Sequence, residues 1–294
     1  MLSEVLSPSL EVATALSEGR PVVALESSVW VQGLPWPANY EAALEVESAV
    51  RQRGATPAII WIEDGLVYYG LSPSALEDLC RHPRGSKLNV SDLPLALLRK
   101  QPGATTVSAT LRAAQWLGLK VFATGGIGGV HRGWQQHLDI SSDLGEIARS
   151  PVLTVAAGVK CVLDVGATLE ALESLAVPVF RVGTDRFPEF YCAGQLTLGQ
   201  RVDDAAEVAR ASRLSRELLG RAGLAVRETP HPLPRDQVMT WLEQGLQQAP
   251  PVGKEVTPFL LGYLGKASQG ETTRVNRELL VANAQLAADI AQYL

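Results

Sequence analysis

The chain has 294 residues, of which 46% are hydrophobic, enough to bury a sizeable core. A net charge of −5 without a long basic block argues against nucleic acid or an acidic membrane as a partner, and leaves room only for a small local basic pocket. Three widely separated cysteines, Cys80, Cys161 and Cys192, show no CxxC or zinc spacing and read as reduced thiols of a cytoplasmic protein. The N-terminus has no charged start or apolar centre of a signal peptide, and no apolar run is long enough to predict a membrane span.

Residues 8–18 predict a short amphipathic helix, broken at Gly19-Arg20-Pro21. Val22 to Leu25 reads as a compact buried strand with Glu26 at its end, followed by Ser27 and Ser28. A carboxylate at the carboxyl end of a strand sits where open α/β sheets keep their chemistry, although an exposed or capping acid reads equally well. Gly33-Leu34-Pro35-Trp36-Pro37 is a rigid turn, and Asn39 is placed to cap a helix from Tyr40 to Arg53. Ala58 to Ile62 and Leu66 to Tyr69 read as a hairpin around Asp64-Gly65. Ser72-Pro73 opens a helix to about Cys80, and Ser91 or Asp92 starts another after Lys87, itself a residue that usually points to solvent. Residues 103–108, GATTVS, hold more hydroxyls than capping of a helix over 109–117 requires.

The densest chemistry follows the short apolar run Val121-Phe122-Ala123. Thr124 ends that run, and Gly125, Gly126, Gly128 and Gly129 leave a bare backbone whose N–H groups could converge on an anion. His131, Arg132, Asp139, Ser141, Ser142 and Asp143 come next. A solvated loop is the plain alternative, but this density straight after a strand favours a ligand site. The glycine register fits neither a dinucleotide fingerprint nor a Walker loop. Val152 to Ala156 is another buried strand, and Lys160 follows it among apolar neighbours. Such surroundings weaken the solvation of an ammonium, and the neutral amine they favour attacks aldehyde carbons; a snorkelling lysine is the alternative. Further strands are expected at 177–182 and 224–227, and helices at 202–220, 236–248, 257–269 and 276–293. The aromatic stretch 184–191 reads as packing or a lid, and His231 between prolines as exposed. The alternation predicts an α/β fold, an α/β/α sandwich around a mixed, mostly parallel sheet, in one domain over 1–294.

Taken together, ALESS at 24–28, GLPWP at 33–37, GATTVSAT at 103–110, FATGGIGGVHRG at 122–133, DISSDL at 139–144, AGVK at 157–160 and TDRFPEFY at 184–191 resemble the pseudouridine-5′-phosphate glycosidase family. The resemblance runs in order over nearly the whole chain. It implies reversible cleavage of the C–C bond between ribose C1′ and uracil C5. It further implies that Lys160 forms a Schiff base at C1′, that Glu26 donates a proton, and that Asp139 holds Mn²⁺ or another divalent cation with waters. By the same resemblance Lys87, the backbone of Val107, Ser141, Ser142 and Asp143 bind substrate. Thr124 and the glycines after it hold sugar or phosphate oxygens, Asn283 lies near the site, and His131 or Asp143 relays a proton. A homotrimer is the implied assembly. Two departures stand out: Gln32 replaces a usual histidine, and Asn89-Val90-Ser91 replaces an arginine-rich segment. A ribokinase-type kinase would need a GAGD-like helix start, which is absent, and a sugar-phosphate sensor would have lost Glu26, Asp139 or Lys160, which are present.

Overall fold

The computed structural model describes residues 2–249 and 256–294. Its strands are β1 (Leu6–Pro8), β2 (Val22–Glu26), β3 (Thr56–Glu63), β4 (Leu66–Tyr69), β5 (Ser86–Leu88), β6 (Gly103–Thr105), β7 (Val121–Ala123), β8 (Leu153–Ala156), β9 (Val179–Val182), β10 (Gln200–Val202) and β11 (Leu224–Val226). The helices are α1 (Leu10–Ser17), α2 (Ala38–Gln52), α3 (Pro73–Arg81), α4 (Leu93–Leu98), α5 (Val107–Trp116) and α6 (Trp134–His137), then α7 (Ser142–Ile147), α8 (Val165–Ser174), α9 (Ala205–Leu219), α10 (Arg235–Leu246), α11 (Val256–Ala267) and α12 (Glu271–Ala291).

The strands form a mixed, mostly parallel sheet in the order β1-β4-β3-β2-β7-β8-β11-β9-β10, with β6 joining β3 and β5 joining β6. From β3 to β10 every neighbour on this path is parallel, whereas β4 and β6 run antiparallel to β3. The central strands β2, β7 and β8 are buried along their whole length, which is why they read as unbroken apolar runs rather than as alternation. Helix α12 packs on β2, β7 and β8 and against α2 and α9, while α5 packs on β2 and β7 and carries α7. Because β2, β7 and β8 are parallel neighbours, their carboxyl ends open side by side. No helix among the described residues is long and apolar enough to cross a membrane.

Four short strands, β1, β5, β6 and β10, escape the sequence. Within GATTVS, Gly103–Thr105 adds to β3, and Ser86–Leu88 adds to it in turn, so the stretch containing Lys87 is part of the sheet. The extra hydroxyls also find a structural use: Thr105 Oγ1 donates to the Ile60 carbonyl, Thr110 Oγ1 donates to Thr105 Oγ1, and Thr105 N–H donates to Ser27 Oγ. Asn39 lies inside the first turn of α2 and does not cap it. Its Nδ2 instead donates to the carbonyls of Trp30 (2.8 Å) and Cys80 (2.9 Å), tying one turn of π-helix at Val29–Gly33 to the end of α3. Replacing Asn39 by Ala strands both buried carbonyls, and urea denaturation should show a loss of about 2 kcal/mol, with the midpoint falling accordingly.

Candidate active site

The carboxyl ends of β2 and β7 meet at Glu26, which is 5% exposed. Ser28 Oγ donates to Glu26 Oε2 at 2.5 Å, and the hydroxyl of Thr124 donates to Oε1. Two hydroxyl donors hold a buried carboxyl group that has no basic partner in its hydrogen bonds. Asn283, on α12, stands one step behind: its Nδ2 donates to the carbonyls of Thr124 (2.8 Å) and Gly125 (3.2 Å), and its Oδ1 is buried without a partner among the described residues. The sequence expectation placed Asn283 near the site; it sets the backbone that presents Thr124.

Beyond β7 and β8 the two backbones continue side by side. Ala157 N–H donates to the Gly125 carbonyl, Ile127 N–H to Gly158, Lys160 N–H to Ile127, and Asp164 N–H to Val130. Glycine is needed where this ladder is crowded. A Cβ on Gly158, which has φ +81°, would lie 1.8 Å from the Pro188 carbonyl oxygen, and one on Gly128 would lie 2.5 Å from Ser141 Oγ. The loop amides are therefore mostly committed within the protein. Gly128 N–H donates to Asp143 Oδ2 (2.9 Å) and Val130 N–H to Thr168 Oγ1 (2.9 Å), so these two amides are committed within the protein, while Gly125 and Gly126 line a cavity.

Asp143 joins this loop to a helix start, because its Oδ1 accepts the N–H of Ser108 (2.9 Å) in the first turn of α5. The carboxylate thus accepts from two backbone amides that belong to different elements. A line of hydroxyls runs beside it, Thr106 to Ser108 (3.2 Å) and Ser108 to Ser142 (3.0 Å).

These elements enclose a cavity of about 330 Å³. Glu26, Lys160, Lys87 and Val107 line it, and so do His131, Asp139, Ser141, Ser142 and Asp143. Thr124 faces an adjoining narrower lobe, which shares Glu26, Ser28, Lys87 and Lys160 with the first and adds Gln32, Phe190 and Asn276. Lys160 Nζ makes no hydrogen bond or ion pair with a described residue. Burial holds the His131 imidazole below its usual pKa; Asp139 opposes that shift, and the charges of Lys87 and Lys160 add to it. His131 Nδ1 lies 3.6 Å from Asp139 Oδ2.

Among the described residues no three His, Cys, Asp or Glu side chains form a metal cage. Asp139, with a side chain 33% exposed at the cavity wall, is a single oxygen donor set open to water and substrate oxygens. Such a set suits a hard cation that keeps several waters, not zinc.

The sequence did not single out Ser28, Thr106, Thr257 or Asn276 as individual site residues, yet all four line the lobes. Ser28 was visible as the second residue after a strand-end acid. Asn276 was visible only as the start of an amphipathic helix.

The model of the indigoidine synthase A-like protein family matches residues 11–293. A pseudouridine-5′-phosphate glycosidase of Paracoccus denitrificans is 45% identical over 296 residues, covering 97% of this chain and 96% of the relative. One from a Nocardioides species is 44% identical over 290 residues, covering 96% and 94%. The solved prealnumycin C-glycosynthase AlnA in complex with ribulose 5-phosphate superposes with a TM-score of 0.91 at 35% identity over 99% of this chain and 97% of that one. An indigoidine synthase A-like protein from Thermotoga maritima gives 0.88 at 32% over 98% and 95%.

Substituting Asp143→Asn puts an amide nitrogen opposite one of the two N–H donors. Urea denaturation should show a loss of about 2–3 kcal/mol, and the amides of Gly128 and Ser108 should exchange with deuterium faster.

Proposed function

Since the chain belongs to the family of indigoidine synthase A-like proteins and pseudouridine-5′-phosphate glycosidases, we propose that it reversibly cleaves pseudouridine 5′-phosphate to uracil and ribose 5-phosphate through a covalent adduct on Lys160. The observation that carries this reading is the position of an amine without a hydrogen-bond or ion-pair partner among the described residues, beside a buried carboxyl group, at the junction of two lobes of different polarity. A relative solved in complex with ribulose 5-phosphate supports a sugar phosphate as ligand.

The chemistry follows from the bond to be broken. A C–C glycoside has no leaving oxygen to protonate, so a two-carboxylate scheme does not apply. The Lys160 amine adds to C1′; the N–C1′ bond forms, the C1′–O4′ bond breaks, O4′ takes a proton and the nitrogen gives one up. Uracil C5 then takes a proton, the C1′–C5 bond breaks, and the nitrogen lone pair forms a C=N bond to C1′. Water hydrolyses this imine to the aldehyde of ribose 5-phosphate and regenerates the amine. Glu26 is the proton donor in this scheme, with Thr124 and Ser28 fixing both of its oxygens. Lys87, the Val107 backbone, Ser141 and Ser142 bind the sugar phosphate. Asp143 holds the loop and helix start in place, which leaves His131, kept neutral by burial, as the relay of a second proton. Asp139 would hold a Mn²⁺ or Mg²⁺ ion, which supplies positive charge to orient substrate oxygens and water.

Borohydride reduction in the presence of ribose 5-phosphate should fix a pentose phosphate on Lys160, seen by peptide mass spectrometry and absent in Lys160→Ala. A folded protein that binds the sugar phosphate but yields no adduct is a sensor and not this enzyme. Glu26→Gln should lower kcat by about 10²- to 10⁴-fold while the adduct still forms. Asp139→Asn should leave the electron paramagnetic resonance signal of added Mn²⁺ that of the free ion, whereas the wild type should quench it.

A further inference from the structure

Glu26 borders a further cavity, of about 10 Å³, apart from the two lobes. Leu25, Ala123, Val46 and Leu280 give it apolar walls, and Glu26, Thr124 and Trp30 are its polar members. Lys160 and Lys87 line both lobes but not this space. Trp30 is 1% exposed, and its Nε1 has no hydrogen-bond partner among the described residues. A buried indole N–H normally finds an acceptor, and one withdrawn from water without any is costly. Nor is the ring free to swing out to solvent. Trp30 N–H donates to the Ser27 carbonyl (3.1 Å), and the Trp30 carbonyl accepts from the buried Asn39 Nδ2 (2.8 Å).

Size and chemistry together say what the space suits. A water molecule needs roughly 10–15 Å³ and two to four polar partners. The cavity offers the lower end of that room and three polar side chains, and it is too small for a larger ligand. An indole N–H only donates, so a water beside it turns an oxygen lone pair towards Trp30. Both protons of that water then point at the remaining polar members. These are the Glu26 carboxyl group and the oxygen of Thr124, whose own proton is given to Glu26 Oε1.

Resting on the enzymatic reading above, we propose that Trp30 holds one buried water against Glu26, and that this water supports the negative charge left on Glu26 when its proton passes to the substrate. Each carboxyl oxygen already accepts one hydroxyl, from Ser28 and from Thr124. A carboxylate has about four acceptor sites, so a further donor is accommodated. No bond in the water is made or broken: the proton goes from Glu26 to the substrate, and the water only donates hydrogen bonds to the oxygens that lost it. The charge thus appears where a fixed donor has been set in advance, in surroundings too apolar for bulk water to do the same work. Trp30 touches none of the reacting atoms and is a positioning residue.

The test joins crystallography to kinetics. A high-resolution crystal structure of the wild type should show a water within about 3.2 Å of both Trp30 Nε1 and a Glu26 carboxyl oxygen. Trp30→Phe keeps an aromatic ring but removes the N–H donor. Val46→Ile leaves Trp30 intact and puts an extra carbon into the cavity from α2. Both variants should lose the water and lower kcat by about tenfold, with KM for pseudouridine 5′-phosphate within about twofold of wild type, because the lost hydrogen bond serves the transition state and not substrate binding. Borohydride trapping of ribose 5-phosphate on Lys160 should be unchanged in both. A purely structural Trp30 would instead raise KM, weaken the adduct and leave Val46→Ile fully active, and that pattern would overturn the proposal. Full kcat in either variant once its crystal has lost the water would overturn it too. A wild type that forms neither adduct nor product would remove the enzymatic reading and the role of the water with it. An active wild type with no water in this cavity would overturn the present proposal alone.

Discussion

The structure depends on a backbone ladder that does not stop where its strands do. Past Ala123 and Ala156 the chains leave regular β geometry, yet they stay bonded from Gly125 through Val130 on one side and from Ala157 through Asp164 on the other. Lys160 is positioned by this ladder through its own N–H on the Ile127 carbonyl. Its side chain is held at the root by main-chain bonds and has no hydrogen-bond partner among the described residues at the tip. In the proposed reaction, an amine that becomes an imine and back is well served by an anchor that does not involve its reacting atom. The glycines serve the ladder first: bare Cα atoms let Ser141, Asp143, Thr168 and Phe190 close in on the loop.

Charge is distributed with the same economy. Asp143 and Glu26 are both buried carboxyl groups a few residues from glycine-rich backbone, but their partners differ. Asp143 binds two main-chain amides and holds α5 to the loop; Glu26 binds two hydroxyls, groups that can turn and exchange a proton. The difference between the two carboxyl groups lies in what donates to each, and sequence spacing does not show it.

That contrast marks how much the sequence could reveal. Buried runs such as Val22–Leu25 and Val121–Ala123, the Asp64-Gly65 turn and the Ser72-Pro73 helix start were legible because each is determined by nearby residues. The site residues were legible largely through motifs: Glu26, Lys87, Asp139 and Lys160 come together from separate stretches, as the family resemblance implied. The short strands β1, β5, β6 and β10 were not, since three residues carry too little periodicity and their pairing partners lie far along the chain. Asn39 read as a cap because asparagine commonly is one; only the arrival of the Cys80 carbonyl from α3 gives it another use. Asp143 read as a substrate ligand and relay, and its two amide bonds depend on α5 and the loop meeting in space.

One feature of α12 bears on how such a protein comes into being. This helix follows all eleven strands in the chain, yet it covers the sheet at β2, β7 and β8, supplies Asn283 to the backbone of Thr124 and brings Asn276 to the lobe wall. During synthesis on a ribosome, Glu26, Thr124 and Lys160 emerge long before the helix that completes their surroundings. A nascent chain therefore carries Lys160 without a finished pocket until α12 has been made and docks on the sheet.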